Sequence, residues 1–177
     1  MRALFLFPLL SGLLAAASPA AAGEYEAEAT GVAGGDVVTV VDAGGNRYEV
    51  RLAGVDAPEL DQPYGELARK RLADLVLGKA VRAEWEKVDR NGRAVGKLWV
   101  GSPDSPCQGS SCAKTLDVGH ALITQGLAWH FKRYQSEQSE EDRARYGDDE
   151  VEARARRAGL WSEPDPVPPW EWREGKR

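Results

Sequence analysis

Two short stretches of this sequence place arginine among carboxylates, at residues 50–59 and again at residues 89–93. A third acidic residue, Asp36, precedes both of them. Guanidinium groups bind phosphate oxygens through paired hydrogen bonds, and clustered carboxylates offer the oxygen ligands that a hard cation such as Ca²⁺ prefers. Together these residue types predict hydrolysis of a phosphodiester with the help of a metal ion.

The elements that must position these residues are mostly strands. Residues 47–55 alternate polar and apolar side chains, which is typical of a strand with two unlike faces. Strands are predicted over residues 37–41, 47–55, 81–88 and 94–100. Helices are predicted between Tyr64 and Leu77, over residues 116–126, and from a capping box at Ser139 to Gly159. Short strands with an inserted helix favour an α+β fold, a five-stranded OB-type Greek-key β-barrel with about three helices.

The chain begins with the pattern of a secretory signal peptide. One early arginine precedes an apolar run at residues 3–17, and the small residues 20–22 resemble a cleavage site. The alternative is an uncleaved membrane anchor, but the run is shorter than the ~20 residues that span a bilayer. We therefore expect export to a periplasm or to the outside of the cell, with no membrane attachment after cleavage.

This pattern divides the chain into three segments. We expect a signal peptide at 1–22, one folded domain at 23–163 and a Pro/Trp-rich tail at 164–177. The tail is predicted to lack regular structure, with its two tryptophans packed on the domain. We expect the protein to be a monomer.

The two cysteines lie in a Ser-, Pro- and Gly-rich insertion at residues 101–115. Cys107 and Cys112 are predicted to form a disulfide in an oxidising compartment. A zinc site is the alternative, but it needs two further ligands, and no His or Cys lies nearby in sequence.

The formal net charge of −5 argues against binding of nucleic acid through an overall basic surface. Binding of such a polymer would have to rely on a local basic patch and on bound cations. The charge therefore excludes the class of strongly basic nucleic-acid-binding domains.

The arginines have a simpler interpretation as members of surface ion pairs, Arg51 with Glu49 or Glu59 and Arg93 with Asp89. Strict alternation along a strand also places Arg51 and Asp56 on opposite faces. A bulge or a twist of the barrel is therefore required if the two are to share a site.

The order and spacing of several segments resemble the staphylococcal nuclease (thermonuclease) family, whose fold is an OB barrel with three helices. The similarity runs from about residue 31 to residue 161. It is carried by Gly35-Asp36 and by residues 50–59, 64–68, 89–93, 125–128 and 159–161.

The resemblance implies a function and a set of site residues. Enzymes of this family cut DNA and RNA with Ca²⁺ and leave 3′-phosphate ends. The metal ligands of the family correspond to Asp36, Asp56 and the main-chain carbonyl of Ala57. The catalytic residues of the family correspond to Arg51, Glu59 and Arg93, and a tyrosine that lies against the nucleotide corresponds to Tyr134. The lysine-rich loop of the family is shortened here to residues 60–63, which predicts weaker substrate binding.

Three other interpretations remain. A non-catalytic OB-type binding module would use the same fold, but it would not need all five charged site residues. A structural envelope protein could use the Pro/Trp tail for docking. A histidine nuclease would use His120 or His130, but neither has a metal-type spacing or an acidic neighbour in sequence, so we expect structural or surface roles for both.

Overall fold

The computed structural model describes residues 23–107 and 109–176. The expected signal peptide lies outside the described residues. The strands are β1 (Gly23–Val32), β2 (Val37–Asp42), β3 (Arg47–Leu52), β4 (Val55–Asp56), β5 (Ala80–Val88), β6 (Ala94–Gly101), β7 (Lys114–Asp117) and β8 (Trp129–His130). The helices are α1 (Gly65–Val76), α2 (Val118–Thr124), α3 (Glu140–Ala155) and α4 (Pro169–Trp172), with 3₁₀ turns at Lys132–Glu137 and Gly159–Ser162.

Five strands form a closed barrel. They follow the order β3-β2-β1-β5-β6, and a parallel pairing between β3 and β6 closes the ring. The other neighbours in the ring pair antiparallel. This barrel with its helices confirms the predicted α+β fold of the OB type.

The interior of the barrel is filled as the alternating pattern of β3 predicts. Val50 and Leu52 are fully buried, whereas Arg47 and Glu49 on the other face are exposed. The core also takes the apolar face of α1 through Leu72 and other buried residues. Burial of these side chains fixes the register of β3 because a one-residue slip would turn the apolar face outward.

The insertion between β6 and β7 is a hairpin loop, since these two strands pair antiparallel across it. Cys107 and Cys112 form a disulfide within this loop, as predicted. None of the described loop residues between Ser102 and Ala113 lines the main cleft of the protein.

The prediction that the tail lacks regular structure was wrong. Residues Pro169–Trp172 form one helical turn, α4. Proline is tolerated at the first position of a helix because its missing N–H is unpaired there in any case. The packing of the tryptophans was correct, since Trp170 lies against Trp129 and Phe131. Among the described residues, no helix is both long and apolar enough to cross a membrane.

Candidate active site

The pairing of three strands brings the predicted residues to one end of the barrel. In the β2–β3 ladder Val37 lies opposite Arg51, so Asp36, one residue earlier, lies beside that arginine. In the parallel β3–β6 ladder Arg51 lies opposite Val95, which places Arg93 at the same end. All three charged residues line one cleft with a volume of about 1560 Å³.

Arg51 and Asp56 meet because the chain turns between them. Strand β3 ends at Leu52, and Gly54 adopts a φ of 70° in the turn that follows. Strict alternation therefore does not extend from Arg51 to Asp56, and neither the bulge nor the twist that we expected is needed. The Arg51 Nη2 atom donates to Asp56 Oδ1 at 3.1 Å, and Nη1 donates to the Val55 carbonyl at 3.3 Å.

The same guanidinium joins the two aspartates. Arg51 Nη2 also lies 3.2 Å from Asp36 Oδ2, so one nitrogen bridges both carboxylates. Asp56 is 1% exposed. Burial raises the pKa of Asp36 to about 6; Arg51 opposes this shift, while the charges of Asp56 and Glu59 add to it. Burial, more than the neighbouring charges, therefore favours the protonated form of Asp36.

Glu59 is held by a short loop that precedes α1. Its main-chain N–H donates to Gln62 Oε1 at 3.1 Å, and the Gln62 N–H donates to the Glu59 carbonyl at 2.9 Å. A Cβ on Gly65 would lie 1.8 Å from that carbonyl, so glycine is required for this close approach. The Glu59 side chain faces the cleft and is 38% exposed.

Arg93 takes part in the ion pair that the simpler interpretation predicted, and it lines the cleft as well. Its Nη2 lies 2.7 Å from Asp89 Oδ2, while the N–H groups of Asn91 and Arg93 donate to Asp89 Oδ1. Asp89 thus orders both the turn and the guanidinium. The pairs predicted for Arg51 with Glu49 or Glu59 are replaced by its pairs with Asp36 and Asp56.

An aromatic wall, formed by Phe131, Tyr134 and Trp170, borders the charged groups. Tyr134 is 49% exposed, and its ring lies 5.1 Å from that of Phe131. Trp170 stacks on Phe131 with ring centres 5.4 Å apart, and the Arg51 guanidinium carbon lies 5.7 Å from the Phe131 ring centre. An exposed aromatic face such as that of Tyr134 suits the stacking of an unpaired base.

The fit of the candidate metal ligands rests on the chemistry of the donors. Asp36 and Asp56 supply carboxylate oxygens within reach of one nitrogen atom, and Ala57, which follows directly, supplies a carbonyl. All are hard oxygen donors of the kind that Ca²⁺ takes. Within the described ranges no group of three or more His, Cys, Asp or Glu side chains is arranged to hold a metal. A site here therefore depends on two carboxylates, a main-chain carbonyl and solvent.

The sequence analysis missed one residue that contacts this site from outside it. Arg173, in the tail, reaches Asp56 Oδ2 at 2.8 Å and Glu59 Oε1 at 2.6 Å. More than a hundred residues separate it from both carboxylates. No local pattern around Arg173 signals this contact; the only hint was the prediction that the tail packs on the domain.

Both histidines lie away from the cleft lining. His120 Nε2 lies 2.9 Å from Asp149 Oδ2, which joins α2 to α3. His130 is 2% exposed and its Nε2 is hydrogen-bonded to Gln138 Oε1 at 2.7 Å. These contacts agree with structural roles.

Comparison with known proteins identifies the family. The family model described as "Staphylococcal nuclease homologue" matches residues 49–163. The chain belongs to the staphylococcal nuclease family. The matched segment runs from β3 through the end of the second 3₁₀ turn. It therefore includes Arg51, Glu59 and Arg93, whereas Asp36 and Arg173 lie outside it.

Curated proteins that are similar to this chain match most of its length. Protein ParB of Escherichia coli is 37% identical over 162 residues, which is 91% of this chain and 85% of that protein. The Micrococcal nuclease of Shigella flexneri is 34% identical over 155 residues, 87% of this chain and 83% of that protein. Staphylococcal-like nuclease CAN1 of Arabidopsis thaliana is 36% identical over 131 residues, 74% of this chain, which spans about a third of the plant protein (35%).

Proposed function

We propose that this chain is an exported, calcium-dependent endonuclease that hydrolyses DNA and RNA with little sequence specificity and leaves 3′-phosphate ends. As a member of the staphylococcal nuclease family it is a nuclease, that is, a hydrolase of nucleic acids. Calcium dependence, export, the product ends and a monomeric state are what we propose beyond that membership. The observation that carries the proposal is the bridging of Asp36 and Asp56 by Arg51, beside a cleft that is also lined by Glu59 and Arg93.

The chemistry follows from what the site must stabilise. Attack of water on a phosphodiester adds negative charge to the phosphate oxygens, which Arg51 and Arg93 can meet with paired N–H donors. Glu59, on a loop fixed by Gln62, would orient the attacking water and accept its proton. A Ca²⁺ ion held by Asp36, Asp56 and the Ala57 carbonyl would supply electrophilic charge at the same phosphate.

Substrate recognition would rely on the cleft walls. The phosphate backbone of a nucleic acid would meet Lys87, Arg90, Lys97 and Arg133 in a cleft that is also lined by acidic side chains. Tyr134 offers a base-stacking face. Contacts of this kind do not read base edges, which supports low sequence specificity.

The disulfide supports export. Cytosolic thiols are kept reduced, so a bond between Cys107 and Cys112 favours an oxidising compartment. We infer a periplasmic or extracellular location from this bond and from the signal-peptide pattern at 1–22.

The decisive test is cleavage of plasmid DNA and of a single-stranded RNA with added Ca²⁺ and then with excess chelator. We expect both substrates to be cut internally, cutting to stop in chelator, and calcium to restore it. Phosphatase-sensitive 3′ ends on the products would support the assigned bond cleavage. Tight binding with no cleavage under any condition would instead favour the non-catalytic binding module.

Substitution of the charged groups tests their roles. We expect Arg51→Ala, Glu59→Ala and Arg93→Ala each to lower turnover at least about a hundredfold. Arg69→Ala is the matched control, because Arg69 is an exposed arginine on α1 whose ion pair is with Glu66. Thermal unfolding by circular dichroism must show that each variant is folded. A folded Arg93→Ala protein with full activity would remove Arg93 from the mechanism.

A further inference from the structure

The guanidinium of Arg173 occupies the part of the site where positive charge is required. Its Nη2 lies 2.8 Å from Asp56 Oδ2, and its Nη1 donates to Asp56 Oδ1 at 3.2 Å and to Glu59 Oε1 at 2.6 Å. Both oxygens of Asp56 therefore have a guanidinium partner, since Arg51 also binds Oδ1. An incoming cation and an attacking water would each have to replace contacts made by Arg173.

The tail that carries Arg173 is seated at several points, so the position of its guanidinium is defined. Pro169 is buried, and Trp170 packs between the rings of Trp129 and Phe131. Trp172 Nε1 donates to Asp61 Oδ1 at 3.1 Å.

A further hydrogen bond connects the tail to the loop that carries Glu59. Gln62 Nε2 donates to the Val167 carbonyl, while the Gln62 side-chain oxygen accepts from the Glu59 N–H. One buried side chain therefore holds the Glu59 loop and the tail together. Movement of the tail and release of Glu59 are coupled through Gln62.

The charges explain why the tail is stable in this position and why a cation would displace it. Asp36, Asp56 and Glu59 carry three negative charges against Arg51 and Arg173. Arg173 offsets part of the negative charge of Asp56 and Glu59, and its side chain is itself 43% exposed. A divalent cation would offset the same charge with more positive charge and shorter contacts, so the two are competitors for Asp56.

We propose that residues 167–173 form an intramolecular strap whose Arg173 competes with the divalent cation for Asp56 and shields Glu59. The inference rests on the proposed function, because it takes Asp56 as a metal ligand and Glu59 as the group that activates water. Cation binding releases Arg173, which frees both carboxylates together. The strap thus sets the cation concentration at which the enzyme becomes active.

The test measures calcium binding directly, with the full mature chain and without substrate. Isothermal titration calorimetry should show tighter Ca²⁺ binding by Arg173→Ala than by wild type. If the strap is closed in about nine molecules of ten, removing it tightens the apparent affinity about tenfold. Arg173→Lys keeps the charge but loses the planar fork, so it should give an intermediate affinity.

The matched control is Lys176→Ala, since Lys176 is an exposed tail cation whose ion pairs are with Glu171 and Glu174. Its calcium affinity should equal that of wild type. Thermal unfolding should show that all variants are folded. In plasmid cleavage, Arg173→Ala should need less calcium for half-maximal rate and should match wild type when calcium is saturating.

The outcomes separate the strap from the proposed function. Unchanged or weaker calcium affinity in Arg173→Ala would overturn the strap, and so would lower turnover at saturating calcium, which would assign Arg173 to the substrate. Tighter calcium binding without cleavage by any variant would support the strap and overturn the proposed nuclease mechanism. Failure of wild type and Arg173→Ala alike to bind calcium would overturn both.

Discussion

At the scale of single residues, Asp36 shows that a charged group in the site can lower the stability of the folded protein. Its carboxyl is held where burial favours the protonated form, and two neighbouring carboxylates strengthen that preference. Arg51 offsets the effect only in part. An ionised Asp36 at neutral pH therefore lowers the free energy of unfolding, and a bound cation would remove that loss.

We expect Asp36→Asn to stabilise the protein at pH 7 in the presence of chelator. The pKa of Asp36 is raised from 3.8 to about 6 on folding. The folded state therefore holds a proton that the unfolded state lacks between about pH 4 and pH 6, and stability falls as pH rises through that window. The substitution should raise the free energy of unfolding by about 1–3 kcal/mol at pH 7.

Urea unfolding of wild type and Asp36→Asn from pH 4 to pH 8 would check this. The difference in free energy of unfolding should shrink toward zero near pH 4, where the wild-type carboxyl is neutral in the fold. A constant difference across this range would show that burial of the Asp36 charge is not its cause.

Residue types predicted the chemistry of the site more fully than its geometry. Asp36, Arg51, Glu59 and Arg93 could be selected because guanidiniums and carboxylates suit a phosphodiester. Their convergence depends on the ladder between β3 and β6, and parallel pairing leaves no signature in a local window. Arg173 could not be selected, because its partners lie far away along the chain and the tail pattern shows only proline and tryptophan.

At the scale of elements, the site depends on turns more than on strand faces. The alternation of β3 correctly predicted which residues fill the core, but it could not predict where the strand ends. The turn at Gly54 interrupts the alternation of the strand, so Arg51 and Asp56 can share one side. The boundaries of strands, which local patterns define poorly, thus determine which charged residues can meet.

The disulfide-bearing loop between β6 and β7 should contribute little to activity. The bond closes a short loop with a sequence separation of 5 residues, so the chain-entropy model limits its contribution to about 2 kcal/mol. We expect the Cys107→Ser/Cys112→Ser double variant to lose no more than that in urea unfolding. Its turnover should equal that of wild type, because the described loop residues lie outside the cleft lining.

Wild type treated with a thiol reductant serves as the control for the double serine variant. Reduced wild type and the variant should unfold at the same urea concentration. Loss of turnover in both, with the barrel still folded, would place the insertion in the working site.

At the scale of the whole molecule, neither the chain nor its cleft is strongly basic. The chain carries a net charge of −5, and the cleft beside the aromatic wall is lined by acidic as well as cationic side chains. Binding of a polyanion must therefore be local, with few phosphate contacts. Such binding should depend on salt less steeply than that of a broadly basic protein.

We expect Arg133→Ala to raise KM while leaving kcat unchanged, since Arg133 lines the cleft and makes no described contact with the site carboxylates. Loss of one phosphate contact should also reduce the slope of log affinity against log salt by about one. Cleavage rates and filter binding at several salt concentrations would measure both effects. Arg69→Ala again serves as the control, and a fall in kcat with KM unchanged would contradict this role.

The parallel closure of the barrel has a consequence for partly folded chains. The two antiparallel hairpins, β2–β3 and β5–β6, can each form from neighbouring sequence, but Arg51 and Arg93 become neighbours only when β3 reaches β6. An intermediate with an open ring would contain the native hairpins, but its Arg51 and Arg93 would not lie together to bind a phosphate. Catalytic competence thus requires the long-range pairing of β3 with β6, and a newly made chain would be harmless to the nucleic acids around it until that pairing has formed.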